Sequence, residues 1–203
     1  MNRLGLFRSV SLVLGALIIS SCTDAGLPGP TAPIEAVSDH GSDSGSPTSS
    51  ATNRVELKAL WWNDTYDSEI SVSKTIDASG GTISIPKTGL TVSFPRGALN
   101  SPLKITVTAD KDYVAYRFDP AGTQFLKDVT VTQLLDNTTL FGEPLQNQLY
   151  VGYIADDNLK LSGNVPVLEI EPSTTIFSAL NPLLPLAQVW VIRHFSRYML
   201  ASG

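Results

Sequence analysis

Apolar and polar residues alternate with a period of two in four early runs. These are Ile70-Ser71-Val72-Ser73, Thr82-Ile83-Ser84-Ile85, Leu90-Thr91-Val92-Ser93-Phe94 and Leu103-Lys104-Ile105-Thr106-Val107-Thr108. A period of two places successive side chains on opposite faces of a strand, one toward a core and one toward solvent. Between the runs stand Ser79-Gly80-Gly81, Pro86-Lys87-Thr88-Gly89 and Pro95-Arg96-Gly97, whose glycines and prolines supply turn geometry. Further β-branched and aromatic runs cover Val114–Phe118, Asp128–Leu135, Gln148–Ile154, Val165–Ile170, Thr174–Phe177 and Gln188–Ile192. Many short strands separated by turn signals predict an all-β fold, a sandwich or a barrel. Arg54–Leu60 and Ser178–Leu186 tolerate a helix, but Pro182 and Pro185 interrupt the second, and no helix is expected.

The C-terminal region is the most apolar. Asn181, Pro182, Pro185 and Gln188 break the run from Ser178 to Ile192, which excludes a membrane-spanning helix and predicts a buried loop leading into a final strand. That strand is expected over Val189–Leu200. Val189, Val191, Phe195 and Met199 fall on one face, and Trp190, Ile192, Tyr198 and Leu200 on the other. A strand apolar on both faces is central or covered, not an exposed edge.

The N-terminal pattern is different. Arg3 and Arg8 precede a ten-residue apolar stretch, Val10–Ile19, too short for a bilayer that needs about 20 residues. Residues 1–21 therefore read as a secretory signal. Ile19-Ser20-Ser21-Cys22 resembles the lipobox of bacterial lipoproteins, and Cys22 is the only cysteine of the 203 residues. The resemblance implies acylation of the Cys22 thiol, cleavage before it and a second acylation at the new amino terminus. At ~0.8 kcal/mol per buried CH₂, several acyl chains anchor a protein permanently. Thr23 follows the cysteine and Asp24 stands one place too late for the pattern that retains lipoproteins at the inner membrane. The expected location is thus the bacterial cell envelope, at the outer membrane.

Residues 22–53 then read as the lipidated terminus and a tether. Of the 31 residues from Thr23 to Asn53, 18 are Gly, Pro, Ser or Thr, and no hydrophobic period appears. Such a segment buries too little apolar area to offset its ordering entropy, and its reach is about 30 Å. The remaining residues, 54–203, suffice for one core, since a domain of that size buries about 70% of its chain surface.

Composition removes several classes of function. One cysteine excludes a disulfide framework and a cysteine-based zinc site, and two histidines exclude a multi-histidine metal site. Net charge is −5 with no basic cluster, which argues against nucleic acid as a partner. No phosphate loop, Gly-x-Ser-x-Gly elbow or His-Glu-x-x-His motif occurs, so neither an enzyme nor a cofactor is expected. Asp110/Asp112 and Asp156/Asp157 read as solvated turn acids rather than calcium ligands. Trp61-Trp62 read as core packing, with a sugar-stacking platform as the alternative.

Three stretches from Val72 to about Leu135 together resemble the ZU-five domain. Thr75-Ile76-Asp77-Ala78-Ser79-Gly80-Gly81-Thr82-Ile83 is similar to its opening strand, Gly-Gly turn and second strand. Leu90-Thr91-Val92-Ser93-Phe94-Pro95-Arg96-Gly97-Ala98-Leu99 is similar to its signature strand and Pro-x-Gly-Ala turn. Phe118-Asp119-Pro120-Ala121-Gly122-Thr123-Gln124-Phe125-Leu126-Lys127-Asp128-Val129-Thr130-Val131 is similar to the run before a late core strand, with Asp128 where the family generally has proline. The resemblance implies a β-sandwich with binding and scaffolding roles. It also brings forward His194-Phe195-Ser196, because some ZU-five domains cut themselves at such a triplet. Ser196 Oγ would attack the Phe195 carbonyl, His194 would serve as general base, and water would hydrolyse the ester. The plainer reading is a packing signature, with His194 and Ser196 on one face of a terminal strand and Phe195 buried on the other. The expected function is accordingly a lipid-anchored, non-catalytic module attached to the membrane by its N-terminal lipid and binding a protein or glycan. Self-cleavage between Phe195 and Ser196 is the alternative.

Overall fold

A computed structural model describes residues 54–203. The expected signal segment, Cys22 and the tether lie outside the described residues. The chain divides into two units, and the described residues all belong to the second, Thr48–Gly203. This unit has its own hydrophobic core, so it carries what it needs to fold alone.

The described residues form thirteen strands and no helix. They are β1 (Val55–Ala59), β2 (Ile70–Ile76), β3 (Gly81–Ile85), β4 (Leu90–Phe94), β5 (Leu103–Ala109), β6 (Ala115–Asp119), β7 (Gln124–Leu134), β8 (Leu149–Ile154), β9 (Asn164–Val167), β10 (Glu169–Glu171), β11 (Ser173–Phe177), β12 (Pro185–His194) and β13 (Arg197–Ser202). Two antiparallel sheets face each other in a β-sandwich. One runs β11-β12-β7-β4-β3; the other runs β10-β8-β13-β6-β5-β2, with β1 joined to β13 and β9 to β1. The expected all-β sandwich is what the chain adopts.

The alternation seen in the sequence becomes the core. Ile83, Ile85, Leu90, Val92, Phe94, Val129, Val131, Trp190 and Ile192 face inward from one sheet. Ile105, Val107, Tyr116, Phe118, Val151, Tyr198 and Leu200 meet them from the other. Their partners in alternation, such as Thr82, Ser84, Ser93 and Thr174, are exposed. The turns behave as their residues require. Pro95 ends β4, and Gly97 sits at φ +78°, its amide donating to the Ala78 carbonyl at 2.8 Å.

A second, smaller core lies on the outer face of the larger sheet. Met199 and Ala201 of β13 and Ala115 of β6 point away from the main core, toward Leu57, Ala59, Val165 and Val167 of β1 and β9. β1 pairs with β13 at Ala59↔Ala201 and Lys58↔Ser202, and it brings β9 over that face. Gly152 in β8 permits this fold-over, because a Cβ there would collide with Val167.

Four expectations change. Arg54–Leu60, taken as helix-tolerant, contains strand β1, because two long-range neighbours override a weak local preference. Val165–Ile170 is not one strand but two: β9 pairs with β1, β10 pairs with β8, and Leu168 stands between them. The loop before β12 is exposed rather than buried; Leu180 is 98% accessible, and Leu183 is also exposed. The expected single strand Val189–Leu200 is divided at Phe195-Ser196 between β12 and β13, which lie in different sheets.

Candidate functional site

The triplet His194-Phe195-Ser196 is the place where the chain crosses from one sheet to the other. Pairing of β12 with β7 shifts register between Ile192 and His194, and that irregularity starts the crossing. Phe195 drives it home. Its ring is 1% accessible, stacked on Phe118 at 5.6 Å, with Phe125 edge-on at 4.7 Å and Phe94 edge-on at 6.3 Å. It therefore bridges the sheets, because Phe94 and Phe125 belong to one and Phe118 to the other.

Backbone bonds fix the same point. The Phe195 amide donates to the Thr123 carbonyl at 2.9 Å, and the Gly122 amide donates to the Phe195 carbonyl at 3.0 Å. The Phe118 amide donates to the Ser196 carbonyl at 3.0 Å. The loop Pro120–Thr123 thus clamps the peptide that self-cleavage would break. Ser196 Oγ donates to the Ile154 carbonyl at a long 3.4 Å. The His194 ring lies elsewhere: its Nδ1 is 3.5 Å from the Tyr198 hydroxyl, and its edge meets the Tyr153 ring at 5.2 Å. The Tyr198 hydroxyl also donates to the His194 carbonyl at 3.0 Å. Among the described residues no hydrogen bond joins His194 to Ser196. The division of the strand removes the alternation that would have put both on one face.

His194 borders a cavity of about 360 Å³ with Glu169, Glu171, Pro172, Val191 and Arg193. Burial, and then the neighbouring Glu169, push the Glu171 carboxyl above the usual carboxylate range. Burial likewise raises the Tyr198 phenol, with Glu171 and Tyr153 adding to the effect. At the start of β13 the buried Arg197 donates to the Asp157 and Leu159 carbonyls at 3.2 and 2.6 Å and reaches Asp110 at 3.5 Å. Desolvation lowers its pKa, against the pull of Asp110.

The other candidates resolve into structure. Asp110 Oδ1 accepts the Asp112 and Tyr113 amides, and Asp156 Oδ1 accepts the Asn158 amide, as turn acids do, but Asp110 lies largely buried against Arg197 and is not the solvated acid expected. No group of three or more His, Cys, Asp or Glu side chains suited to a metal occurs among the described residues. Trp62 is buried and its Nε1 donates to the Asp110 carbonyl at 2.9 Å. Trp61, 39% accessible, lies on Tyr113 at 4.3 Å. The Trp pair is thus divided: one packs in the core, and the other leaves a face to solvent.

No family model matches the chain, and no curated protein matches it. The clamp by Gly122 and Thr123, the hydrogen bond from Tyr198 and the pair Arg197–Asp110 have no signature in the sequence. Asp119-Pro120-Ala121-Gly122 signals a turn, but nothing local says that it grips residues more than seventy positions later.

Proposed function

We propose that the chain is a lipid-anchored protein of the bacterial cell envelope whose sandwich serves as a non-catalytic binding or scaffold module for a protein or glycan. One observation carries the reading. The only cysteine, Cys22, stands after an apolar run flanked by arginines and before 31 residues rich in Gly, Pro, Ser and Thr, and these lead into a sandwich whose first strand starts at Val55. Thr23 after the cysteine favours the outer membrane. The ZU-five resemblance agrees with a sandwich whose Gly-Gly and Pro-Arg-Gly turns fall at strand ends. Cys22→Ala should abolish fatty-acid labelling and leave unprocessed precursor. Normal maturation and membrane partition of that variant would overturn the anchor.

Self-processing is the second reading, favoured by the Gly122 amide, which already donates to the Phe195 carbonyl where negative charge would develop. His194 and Ser196 would have to leave Tyr198 and Ile154 to act. Intact-mass measurement of the purified protein decides it. Cleavage releases Ser196–Gly203, and a single species of full mass rules it out.

A further inference from the structure

A sheet edge presents unpaired N–H and C=O groups, and proteins that stay monomeric blunt it with charge, proline or cover. Several edges of this sandwich are blunted. β10 carries Glu169 and Glu171, and β9 carries Pro166. On the β2–β3 side, Lys74 Nζ donates to the Thr82 carbonyl at 2.8 Å. β11 has none of these devices. Ser173-Thr174-Thr175-Ile176-Phe177 holds no charge and no proline; among the described residues it pairs with β12 alone and makes no backbone hydrogen bond beyond that ladder.

Its surroundings are of the same kind. A groove of about 540 Å³ runs beside it, walled by Leu145, Leu149, Phe177 and Leu183, and no residue lining it is charged. On the outer face Ile176, Ala187 and Leu134 form an apolar row across three strands, with Ile176 and Leu134 both exposed. An edge without charge is complementary to a strand without charge, and β11 is itself an exposed strand of that composition. Set antiparallel to itself about Thr175, it places Thr174 opposite Ile176 twice. These are β-branched pairs suited to a ladder.

We propose that β11 is a dimerisation edge, through which a second copy of this chain pairs antiparallel, Thr175 facing Thr175 across a two-fold axis. The two five-stranded sheets then become one continuous sheet, and closed two-fold symmetry leaves neither β11 edge free. A five-residue ladder is a small interface, so association is weak and concentration-dependent.

The test uses the chain beginning at Thr48, followed by sedimentation velocity up to about 100 µM, the range where small interfaces assemble. The expected result is a concentration-dependent dimer. Thr174→Lys with Ile176→Lys sets like charges opposite each other on both sides of the axis and should weaken association at least tenfold. Both sites are exposed, so the thermal midpoint should stay unchanged. Thr174→Lys with Ile176→Glu sets opposite charges face to face and should restore the dimer. A wild-type monomer throughout, a dimer indifferent to the double lysine, or a Lys/Glu variant as weak as the double lysine each overturns the proposal. So does a monomer whose β11 amides gain hydrogen-exchange protection only from an added unrelated extended peptide, which would make the edge a trap for another protein's strand.

Discussion

β13 and β11 are both short strands near the C-terminus, yet they are held in opposite ways. β13 has neighbours on both edges and cores on both faces: Tyr198 and Leu200 enter the main core, Met199 and Ala201 the smaller one. Among the described residues β11 has one neighbour, with a cleft on one face and nothing packed on the other. The difference in placement goes with one in composition: four of the six residues of β13 are apolar, against two of the five in β11. A strand that serves two cores cannot be changed without unmaking the fold, whereas a strand at a bare edge is free to acquire a partner.

The largest expected effect comes from removing β13. Ending the chain before Arg193 strips β1, β6 and β8 of a neighbour and opens both cores. The cost exceeds the 5–15 kcal/mol that holds a domain together, and no cooperative melt should be seen by circular dichroism. A cooperative transition in that truncation would place β13 on a par with β11. Next come two phenylalanines. Phe195→Ala should cost about 3–5 kcal/mol in urea unfolding, as for a fully buried aromatic, and Phe177→Ala, partly exposed on the edge, under about 1 kcal/mol. Equal losses would mean that the crossing is no more critical than the edge.

The ion pair at the head of β13 ranks below these. Asp110→Asn keeps an oxygen for the Asp112 and Tyr113 amides but removes the charge facing the buried Arg197, which should cost about 2 kcal/mol by chemical denaturation. An unchanged midpoint would show that the Asp157 and Leu159 carbonyls suffice. Ser196→Ala removes one long hydrogen bond and should stay within about 1 kcal/mol.

Glu171 gives the smallest effect and a pH signature. Its folded pKa is raised, so the fold disfavours the carboxylate. The penalty is absent in acid, where the group is protonated folded or unfolded. It grows as pH rises through the ordinary carboxylate range and persists above the raised value. Glu171→Gln should therefore stabilise at neutral pH by a few tenths of a kcal/mol, after allowing for solvent screening, and have no effect at pH 3. A gain at pH 3 equal to that at pH 7 would assign the effect to packing instead.

Strands were legible whether their partners were near or far: the expected Gln148–Ile154 lies within one residue of β8, whose partner β13 is more than forty positions later. Leu90–Phe94 has its expected bounds, because β3 pairs with it across a short turn and Pro95 stops it. The break at Phe195-Ser196 was hidden because no glycine or proline marks it. A register shift and a buried ring make the turn, while the β-branched and aromatic pattern runs on unchanged on both sides. β10 was hidden for a related reason: Leu168 continues the apolar run although the chain there changes partners. The exposed Leu180 and Leu183 misled in the opposite sense, because apolar character predicts burial only if something covers it. For the triplet, sequence carried no information on the orientations of His194 and Ser196, which depend on Tyr198, Ile154 and the Pro120–Thr123 loop.

The pairing of Lys58 with Ser202 has a consequence in time. A chain made or exported N-terminus first presents β1 long before its partner in β13 exists, so the smaller core cannot close until Ser202 has emerged. Contacts so distant in sequence form slowly, because the loop must be closed before anything rewards closing it. In any chain that emerges N-terminus first, the strand that leads is then the one that cannot commit early.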